Sequence, residues 1–212
     1  LERPFLKQPA PYEAFKTHAA GPPLPDRIEL HAFDGGYCGF SEIEGGLSNV
    51  CLLVQESKIR DAAPRGKDRI PAFMAWMQRQ NPALDCWLGQ AAPIFDPWLS
   101  ISQVSFFPKD PVDRDILMVG DAAGLIAPLA GDGIGMALES GIIAANYASA
   151  VLQGVVPAGS LRLEYLRAWR RSFATRLRVA RNLQQVMFRP RELGYLLSFL
   201  NRFPAIGQWL IR

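Results

Sequence analysis

The amino-acid sequence predicts a mixed fold of the α/β (α+β) class, in which an antiparallel sheet is followed by helices. Residues 27–55 alternate apolar and polar side chains between glycine-rich turns, as half-buried strands do. Residues 134–152 and 166–203 place apolar side chains three or four positions apart, as helices do. The 212 residues are 49% hydrophobic and 20% charged, a globular composition that excludes a disordered chain.

The first elements predicted are strands. Six prolines among the first 25 residues argue against a long regular element there, apart from a short piece at 12–18. Glycine pairs at 35–36 and 45–46 then separate three strand-like segments, which we expect to form an antiparallel meander. The predicted strands are 28–33, 37–43 and 49–55.

Helices and short strands follow in the order that the apolar spacing dictates. Residues 68–80 predict a helix that Pro82 stops, and residues 101–106 predict a strand. Residues 115–119 predict a short, buried strand, and residues 134–152 a helix. Small side chains on that last helix, such as Ala137 and Ser140, permit close packing of the backbone.

The tail of the chain is basic and its body is acidic. Residues 1–160 carry 12 Lys and Arg against 18 Asp and Glu, whereas residues 161–212 carry 11 Arg against 2 Glu. An apolar stripe runs along the first tail helix, and Pro190 separates it from a second helix. The stripe consists of Leu166, Trp169, Phe173, Leu177, Ala180, Leu183 and Met187.

The arginine-rich tail has three possible roles: nucleic-acid binding, membrane contact, or packing on the protein itself. The aromatic residues lie on the apolar stripe rather than between basic side chains, which argues against a nucleic-acid partner. An amphipathic, arginine-rich helix suits peripheral contact with a membrane. The favoured interpretation is that the stripe packs on the protein's own sheet domain, with the arginines solvated or paired with the acidic body.

Cysteine usage excludes two further classes. Cys38, Cys51 and Cys86 are an odd number without a CxxC spacing, so we expect neither a disulfide framework nor a metal site, and a cytoplasmic location. No run of 18 apolar residues occurs, because Glu139 and Asn146 interrupt the longest candidate, so we expect no membrane-spanning helix.

Residues 116–141 carry the strongest chemical signal. They read ILMVGDAAGLIAPLAGDGIGMALESG: a strand, a Gly-Asp corner, a loop, and a glycine-rich turn that opens a helix. Glycines at 131, 133 and 135 permit close approach of a ligand, and free amides at a helix N-terminus suit an anion or a polarised carbonyl. Asp121 follows a strand, where α/β folds place a hydroxyl-binding carboxylate. The alternative is a plain turn with Asp121 as a helix cap.

The whole string resembles the second FAD-binding motif of flavoproteins with the p-hydroxybenzoate hydroxylase fold, which include aromatic monooxygenases and geranylgeranyl reductases. The resemblance implies that Asp121 binds a hydroxyl of the cofactor's ribityl–ribose stretch and that Pro128 lies near the flavin ring. The amides of 131–135 would face the pyrimidine edge of the ring. The cofactor-binding residues so implied are Gly120, Asp121, Ala122, Pro128, Gly131, Asp132, Gly133, Ile134 and Gly135.

Two further stretches are similar to the reductase-like branch of those flavoproteins. Residues 36–50 resemble its pair of substrate-domain strands, and residues 189–204 its terminal helices. Tyr37, Cys38 and Phe40 are therefore candidates for substrate contact. Aromatic packing on a sheet face explains Tyr37 and Phe40 equally well, and a buried structural thiol is the favoured interpretation of Cys38. The implied organisation is a substrate-binding sheet domain (1–114), the second FAD-binding motif (115–153) and a C-terminal helical segment (154–212).

The sequence departs from that pattern at one important point. Such enzymes begin with a βαβ unit that carries GxGxxG and holds the FAD pyrophosphate, and no GxGxxG occurs here. We therefore expect an incomplete p-hydroxybenzoate hydroxylase-like fold, completed by a Rossmann half that is either a removed segment or a separate chain.

The function implied is part of a flavin-dependent oxidoreductase, a reductase or a monooxygenase, acting on a lipophilic or aromatic small molecule. FAD would be reduced by NAD(P)H or another donor, and no catalytic acid or base is identified. The alternative is a non-catalytic fragment or binding module that cannot hold FAD without a Rossmann-bearing partner.

Overall fold

The computed structural model describes residues 3–62, 69–94 and 98–206 of the chain. The chain divides into two compact units, which we name the sheet unit and the motif unit. The sheet unit comprises Pro11–Val104 and Gln185–Arg212, and the motif unit comprises Leu1–Ala10 and Ser105–Gln184. The three functional domains expected from the sequence stay a prediction, because compactness does not test what each part binds.

The sheet unit is built on six antiparallel strands. They are β1 (Tyr12–Ala20), β2 (Ile28–Phe33), β3 (Gly36–Ile43), β4 (Leu47–Gln55), β5 (Ala92–Pro93) and β6 (Leu99–Val104). Their order in the sheet is β2-β3-β4-β1-β5, and β6 also pairs with β1. The meander expected from the sequence is confirmed as β2, β3 and β4, which pair consecutively.

Strand β1 is longer than the sequence indicated. It pairs with β4 from Tyr12 opposite Gln55 to Ala19 opposite Ser48, in the middle of the sheet. The many prolines that argued against it lie outside the strand, so every residue of β1 keeps a backbone N–H for the sheet.

One face of the sheet is covered by helices α2 (Arg69–Gln80) and α3 (Pro82–Leu88), while the short helix α1 (Glu56–Ala62) follows β4 directly. Helix α2 confirms the helix predicted at 68–80. The core between the helices and the sheet is aromatic. Its fully buried members include Phe33, Cys38, Phe40, Val50, Val54, Ile59, Phe73, Met77 and Leu84.

The second face of the sheet presents apolar side chains to solvent. Ile28 and Leu30 of β2, and Leu99 and Ile101 of β6, are all exposed. The strand register places Leu30 beside Gly39 and Ile101 beside Ala14, which is the face opposite the aromatic core.

The motif unit contains two short strands and two long helices. They are β7 (Val112–Asp113), β8 (Ile116–Leu117), α4 (Gly133–Leu152) and α5 (Leu161–Met187), of which α5 continues into the sheet unit. The expectation of a buried strand at 115–119 is wrong in part. Ile116 is 50% exposed and Val119 is 41% exposed, because β8 pairs with β7 alone among the described strands.

Helix α5 packs on the motif rather than on the antiparallel sheet. Its buried residues Tyr165, Trp169 and Phe173 form one cluster with Met118 and Met136. The Tyr165 hydroxyl donates to the carbonyl oxygen of Met118, and burial raises the pKa of Tyr165 to about 12. The expectation that the apolar stripe covers the sheet domain is therefore wrong for the part of α5 before Gln185.

The end of α5 belongs to the sheet unit. The ring of Phe188 lies 5.4 Å from the ring of Tyr12 and 6.0 Å from that of Tyr37. The carbonyl oxygen of Phe188 accepts a hydrogen bond of 2.9 Å from the Gly35 amide. These contacts fix the residues that lead into α6 (Pro190–Arg202).

Helix α6 is amphipathic and contributes no buried residue to the sheet unit. All its residues are described and none of them is buried. Leu197 and Phe199 on α6, and Phe203 directly after it, are about half exposed. An apolar helix face in this state loses the stabilisation that burial would give.

Among the described residues, α4 is long and apolar enough to cross a membrane, judged by length and composition only, and 11% of it is buried. A core helix of a soluble protein meets the same criteria, so this is a weak indication. The expectation of no spanning helix stays a prediction.

Replacing Phe73 by Ala should destabilise the sheet unit by about 3–5 kcal/mol, the usual cost of deleting a buried aromatic side chain. Phe73 is fully buried and contacts the rings of Phe15, Phe33 and Trp76. Urea unfolding measures the change. The matched control Ile28→Ala, on the exposed face, should stay within about 0.5 kcal/mol of the native chain; equal losses would contradict the assigned core.

Candidate functional site

The Gly-Asp corner is attached to α4 by a buried hydroxyl. The amide of Gly120 donates to Ser140 Oγ at 2.8 Å, and Ser140 Oγ donates to the Ala137 carbonyl at 3.0 Å. Ser140 is buried. Gly120 has φ +53°, and a Cβ there would lie 3.2 Å from that of Ala137. The corner therefore needs both a glycine and a small residue on the facing helix turn.

Two cations hold the backbone of the corner from the other side. Lys109 Nζ donates to the carbonyl oxygen of Asp121 at 2.7 Å. Arg3 Nη1 donates to the carbonyl oxygen of Ala122 at 2.6 Å, and its Nη2 donates to that of Asp110 at 2.7 Å. The Asp121 side chain is exposed and makes no hydrogen bond to the described residues. The corner is thus anchored by its carbonyls and presents its carboxylate outward.

The surroundings of Lys109 alter its titration. Burial lowers the pKa of Lys109, the nearby Asp121 carboxylate opposes that shift, and the Arg3 guanidinium adds to it. The lysine is therefore less strongly held in its charged form than a lysine in water.

The glycine-rich turn has open space at Gly131, whereas a Cβ at Gly135 would lie 2.7 Å from Oδ1 of Asp132. Gly131 has φ +66°, and no atom lies within 4 Å of the Cβ that another residue would carry there. The first hydrogen bond into α4 is that of the Met136 amide to the Asp132 carbonyl, at 2.9 Å. The amides of 133–135 therefore precede the hydrogen-bonded turns of the helix and are free to donate to a ligand.

Asp132 does not use its side chain as a helix cap. Its Oδ2 lies 3.4 Å from Nη1 of Arg176, which also lies 3.0 Å from a carboxylate oxygen of Glu139. Arg176 thereby links α5 to the first turns of α4 and draws the Asp132 carboxylate toward α5.

All nine implied cofactor-binding residues lie in the motif unit, and α4 organises them. Ser140 of α4 binds the Gly120 amide and so positions the corner formed by residues 120–122. The loop that contains Pro128 and Gly131 leads into the N-terminus of the same helix. An exposed carboxylate suits a ribityl hydroxyl, and a glycine turn with open space at Gly131 suits a flat ring edge with carbonyl acceptors. The residues present therefore fit FAD, and their individual roles stay a prediction.

The three candidates for substrate contact lie in the sheet unit and point to opposite faces. Cys38 and Phe40 are fully buried in the aromatic core, and Phe40 stacks on Trp87 at 4.3 Å. Burial also raises the pKa of the Cys38 thiol. Tyr37 lies on the second face, beneath Phe188. Successive side chains of a strand point to opposite faces, so only Tyr37 shares a face with the exposed apolar residues. The substrate role of all three residues stays a prediction.

Sequence reasoning did not identify Arg3, Lys109 or Arg176 as parts of this site. Ser140 was noted for its size, but its role as a hydrogen-bond acceptor was not foreseen. One sequence feature could have indicated the role of Ser140. It is the only hydroxyl among the small residues in the first turns of the helix that follows the Gly-Asp corner. Arg3 lies 119 positions from its partner Ala122, and no local pattern predicts such a contact.

An apolar stripe on α4 lies open to solvent. Ile134, Leu138 and Ile142 follow one another at four-residue spacing and are 80%, 67% and 63% exposed. We call these three residues the α4 face. Apolar side chains in a continuous row of this exposure mark a surface that another body covers.

Replacing Ser140 by Ala should destabilise the chain by about 1 kcal/mol, because the partly buried Gly120 amide would lose its acceptor. Thermal or urea unfolding measures the change. The control is Ser149→Ala, an exposed serine on the same helix, for which we expect no measurable loss. Equal stability of the two variants would contradict the attachment of the corner to α4.

No protein-family model and no curated protein sequence matches this chain. Solved structures do match it. The flavin-dependent brominase Bmp2 has a TM-score of 0.69 and 19% identity, over 99% of this chain and 50% of its own. A geranylgeranyl bacteriochlorophyll reductase-like protein from Thermoplasma acidophilum has a TM-score of 0.62 and 17% identity, over 85% and 44%. PqsL, a probable FAD-dependent monooxygenase from Pseudomonas aeruginosa, has a TM-score of 0.59 and 14% identity, over 93% of this chain and 53% of its own.

The chain spans about half the length of the solved structures that it matches. At this identity the likeness concerns the fold. Over that half, the chain has the p-hydroxybenzoate hydroxylase-like fold, in which FAD-dependent monooxygenases, flavin-dependent halogenases and reductase-like proteins are built.

Proposed function

We propose that this chain is part of a flavin-dependent oxidoreductase, a reductase or a monooxygenase, that acts on a lipophilic or aromatic small molecule. The observation that carries the proposal is that α4 anchors the corner with the exposed Asp121 carboxylate and also begins at the glycine turn, whose Gly131 has open space around it. The fold supports it, because the halogenases and the monooxygenase among the structural neighbours are described as flavin- or FAD-dependent.

In this proposal Asp121 accepts a hydrogen bond from a cofactor hydroxyl. Its backbone carbonyl is held by Lys109, and the next carbonyl by Arg3. These bonds fix the corner without using the carboxylate, so the carboxylate remains available to a ligand. A charged acceptor forms a stronger hydrogen bond than a neutral one does.

The open amides of 133–135 and the N-terminus of α4 would bind the carbonyl edge of the ring, with Pro128 beside it. The positive end of a helix dipole stabilises negative charge there, by up to about 1 kcal/mol at an exposed site. When bound, FAD supplies the redox chemistry, which NAD(P)H or another donor would drive. Within this chain the residues bind and orient, and no acid or base is assigned.

The substrate class is supported by the second face of the sheet. Ile28, Leu30 and Ile101 expose apolar surface there, with Tyr37 on the same face. Such a surface favours an apolar or aromatic molecule over a highly charged one.

The proposal includes a Rossmann half that carries GxGxxG, either as a separate chain or as a segment joined to this one. The α4 face supports it, since its three apolar side chains are 63–80% exposed in the described residues. Burial of three such side chains stabilises a complex by about 1.5–3 kcal/mol each. The half-length coverage of the flavoprotein structures points the same way. A chain that never binds FAD in the presence of such a half would be the non-catalytic binding module instead.

We further propose peripheral membrane contact through α6. None of its residues is buried, its apolar residues are half exposed, and Arg189, Arg191 and Arg202 flank them. A helix with an apolar face and basic flanks binds the interface of an anionic membrane.

Asp121→Ala should weaken FAD binding about tenfold or more, the effect of losing one hydrogen bond to a charged acceptor. Flavin fluorescence quenching, with a GxGxxG-bearing half present, measures the dissociation constant. The control is Asp115→Ala, an exposed aspartate in the turn between β7 and β8, which should bind FAD as the native chain does. An unchanged affinity for Asp121→Ala would contradict the role of the corner.

The native chain should sediment with vesicles of anionic lipid at low salt and be released at high salt. The double variant Leu197→Ser, Phe199→Ser should lose this binding because it removes apolar surface from α6. The control Leu152→Ser removes an apolar side chain that is even more exposed, at the end of α4, and should leave binding intact. Sedimentation of the double variant equal to that of the native chain would refute the contact.

A further inference from the structure

A second cavity lies within the motif unit, behind the Gly-Asp corner. It has a volume of about 250 Å³. Its walls are the segment 107–109, the residues 123–125 that follow the corner, and one face of α5. None of the nine residues assigned to FAD lines it, so the cavity is separate from the proposed flavin site.

Basic side chains dominate the α5 wall. Arg170, Arg178 and Arg181 lie eight and three positions apart, which places them on one side of a helix. Lys109 contributes a fourth positive charge from the opposite wall, and no acidic side chain lines the cavity. The potential inside is therefore positive, which favours a negatively charged ligand.

These three arginines lack partners within the described part of the chain. Their neighbours Arg167 and Arg176 form ion pairs with carboxylates, whereas Arg170, Arg178 and Arg181 form none there. Nε of Arg181 is buried and has no acceptor. A buried donor of a charged group without an acceptor is costly, so a ligand that accepts from it would be bound favourably.

The floor of the cavity is apolar. Trp169 and Leu177 of α5 form it together with Phe107 and Leu125. The volume equals that of about eight water molecules, enough for a small ring and one head group. The cavity therefore combines an arginine cluster with room for an apolar body.

We propose that this cavity binds a small organic anion, a carboxylate or phosphate monoester with a short apolar body, through Arg170, Arg178 and Arg181. The guanidinium groups bind the head group by charge-assisted hydrogen bonds, which suit carboxylate and phosphate oxygens. The apolar body lies against Trp169 and Leu177. Lys109 borders both sites, but the flavin site uses none of the three arginines, so neither proposal needs the other.

Isothermal titration calorimetry on the 212-residue chain tests the site with phenyl phosphate and phenylacetate, which differ in head group. At least one should bind about tenfold more tightly than either inorganic phosphate or neutral benzyl alcohol. Inorganic phosphate lacks the apolar body, and benzyl alcohol lacks the anionic head group. The better of the two identifies the head group. No binding of either anion, or equal binding of inorganic phosphate, would overturn the proposal.

Variants locate the binding. Arg181→Gln should weaken it about tenfold or more, the effect of removing a charge-assisted hydrogen bond. Arg178→Gln, at an exposed position that cannot disturb the core, serves as a second variant and should weaken it in the same direction. The matched control Arg171→Gln removes an exposed arginine of α5 outside the cavity and should bind as the native chain does. Equal losses for Arg171→Gln and Arg178→Gln would overturn the site. These titrations contain no flavin, so their failure is distinct from a failure of Asp121→Ala to weaken FAD binding.

Discussion

The hydrogen bond from the Gly120 amide to Ser140 Oγ is the contact on which the candidate site depends. It joins the corner, which begins three residues after β8, to the middle of α4 at 2.8 Å, and its acceptor Ser140 is buried. The same helix opens at the glycine turn, so the carboxylate of Asp121 and the amides of 133–135 are presented by one rigid element. Lys109 and Arg3 complete the arrangement from the other side by holding two consecutive carbonyls.

The motif unit is well packed on one side and apolar but exposed on the other. Helix α5 covers the loop and α4 with Tyr165, Trp169 and Phe173, while the α4 face and Ile116 of β8 lie open. Apolar side chains in contact with water are less favourable in free energy than buried ones, so a protein segment that covers the α4 face would stabilise it. That asymmetry, together with a fold that spans about half of each flavoprotein structure, is why the account includes a Rossmann half.

Local pattern predicted much of the fold and only part of the site. The alternation of apolar and polar side chains, together with the paired glycines, was sufficient to predict β2, β3 and β4. Strand register and turn type are set by residues close in sequence. Strand β1 was underestimated, since proline content was counted over a segment whose prolines lie outside the strand. Residues 115–119 were expected to be buried because they are apolar, whereas their burial depends on neighbours that the described residues do not supply. Arg3 and Lys109 act through distant carbonyls, which no spacing in the sequence encodes.

The charge asymmetry of the chain also has a structural explanation. Arg176 pairs with Asp132 and Glu139, so part of the basic tail does meet the acidic body. Other arginines of α5 surround an apolar cavity.

We propose that this chain supplies half of a flavin site. The most direct test of this proposal is the visible absorption spectrum of the chain after mixing with FAD and a GxGxxG-bearing half, followed by gel filtration. The account predicts that flavin absorbance elutes with the protein complex, and that it does not elute with either half alone. Flavin that elutes only as the free molecule would contradict it.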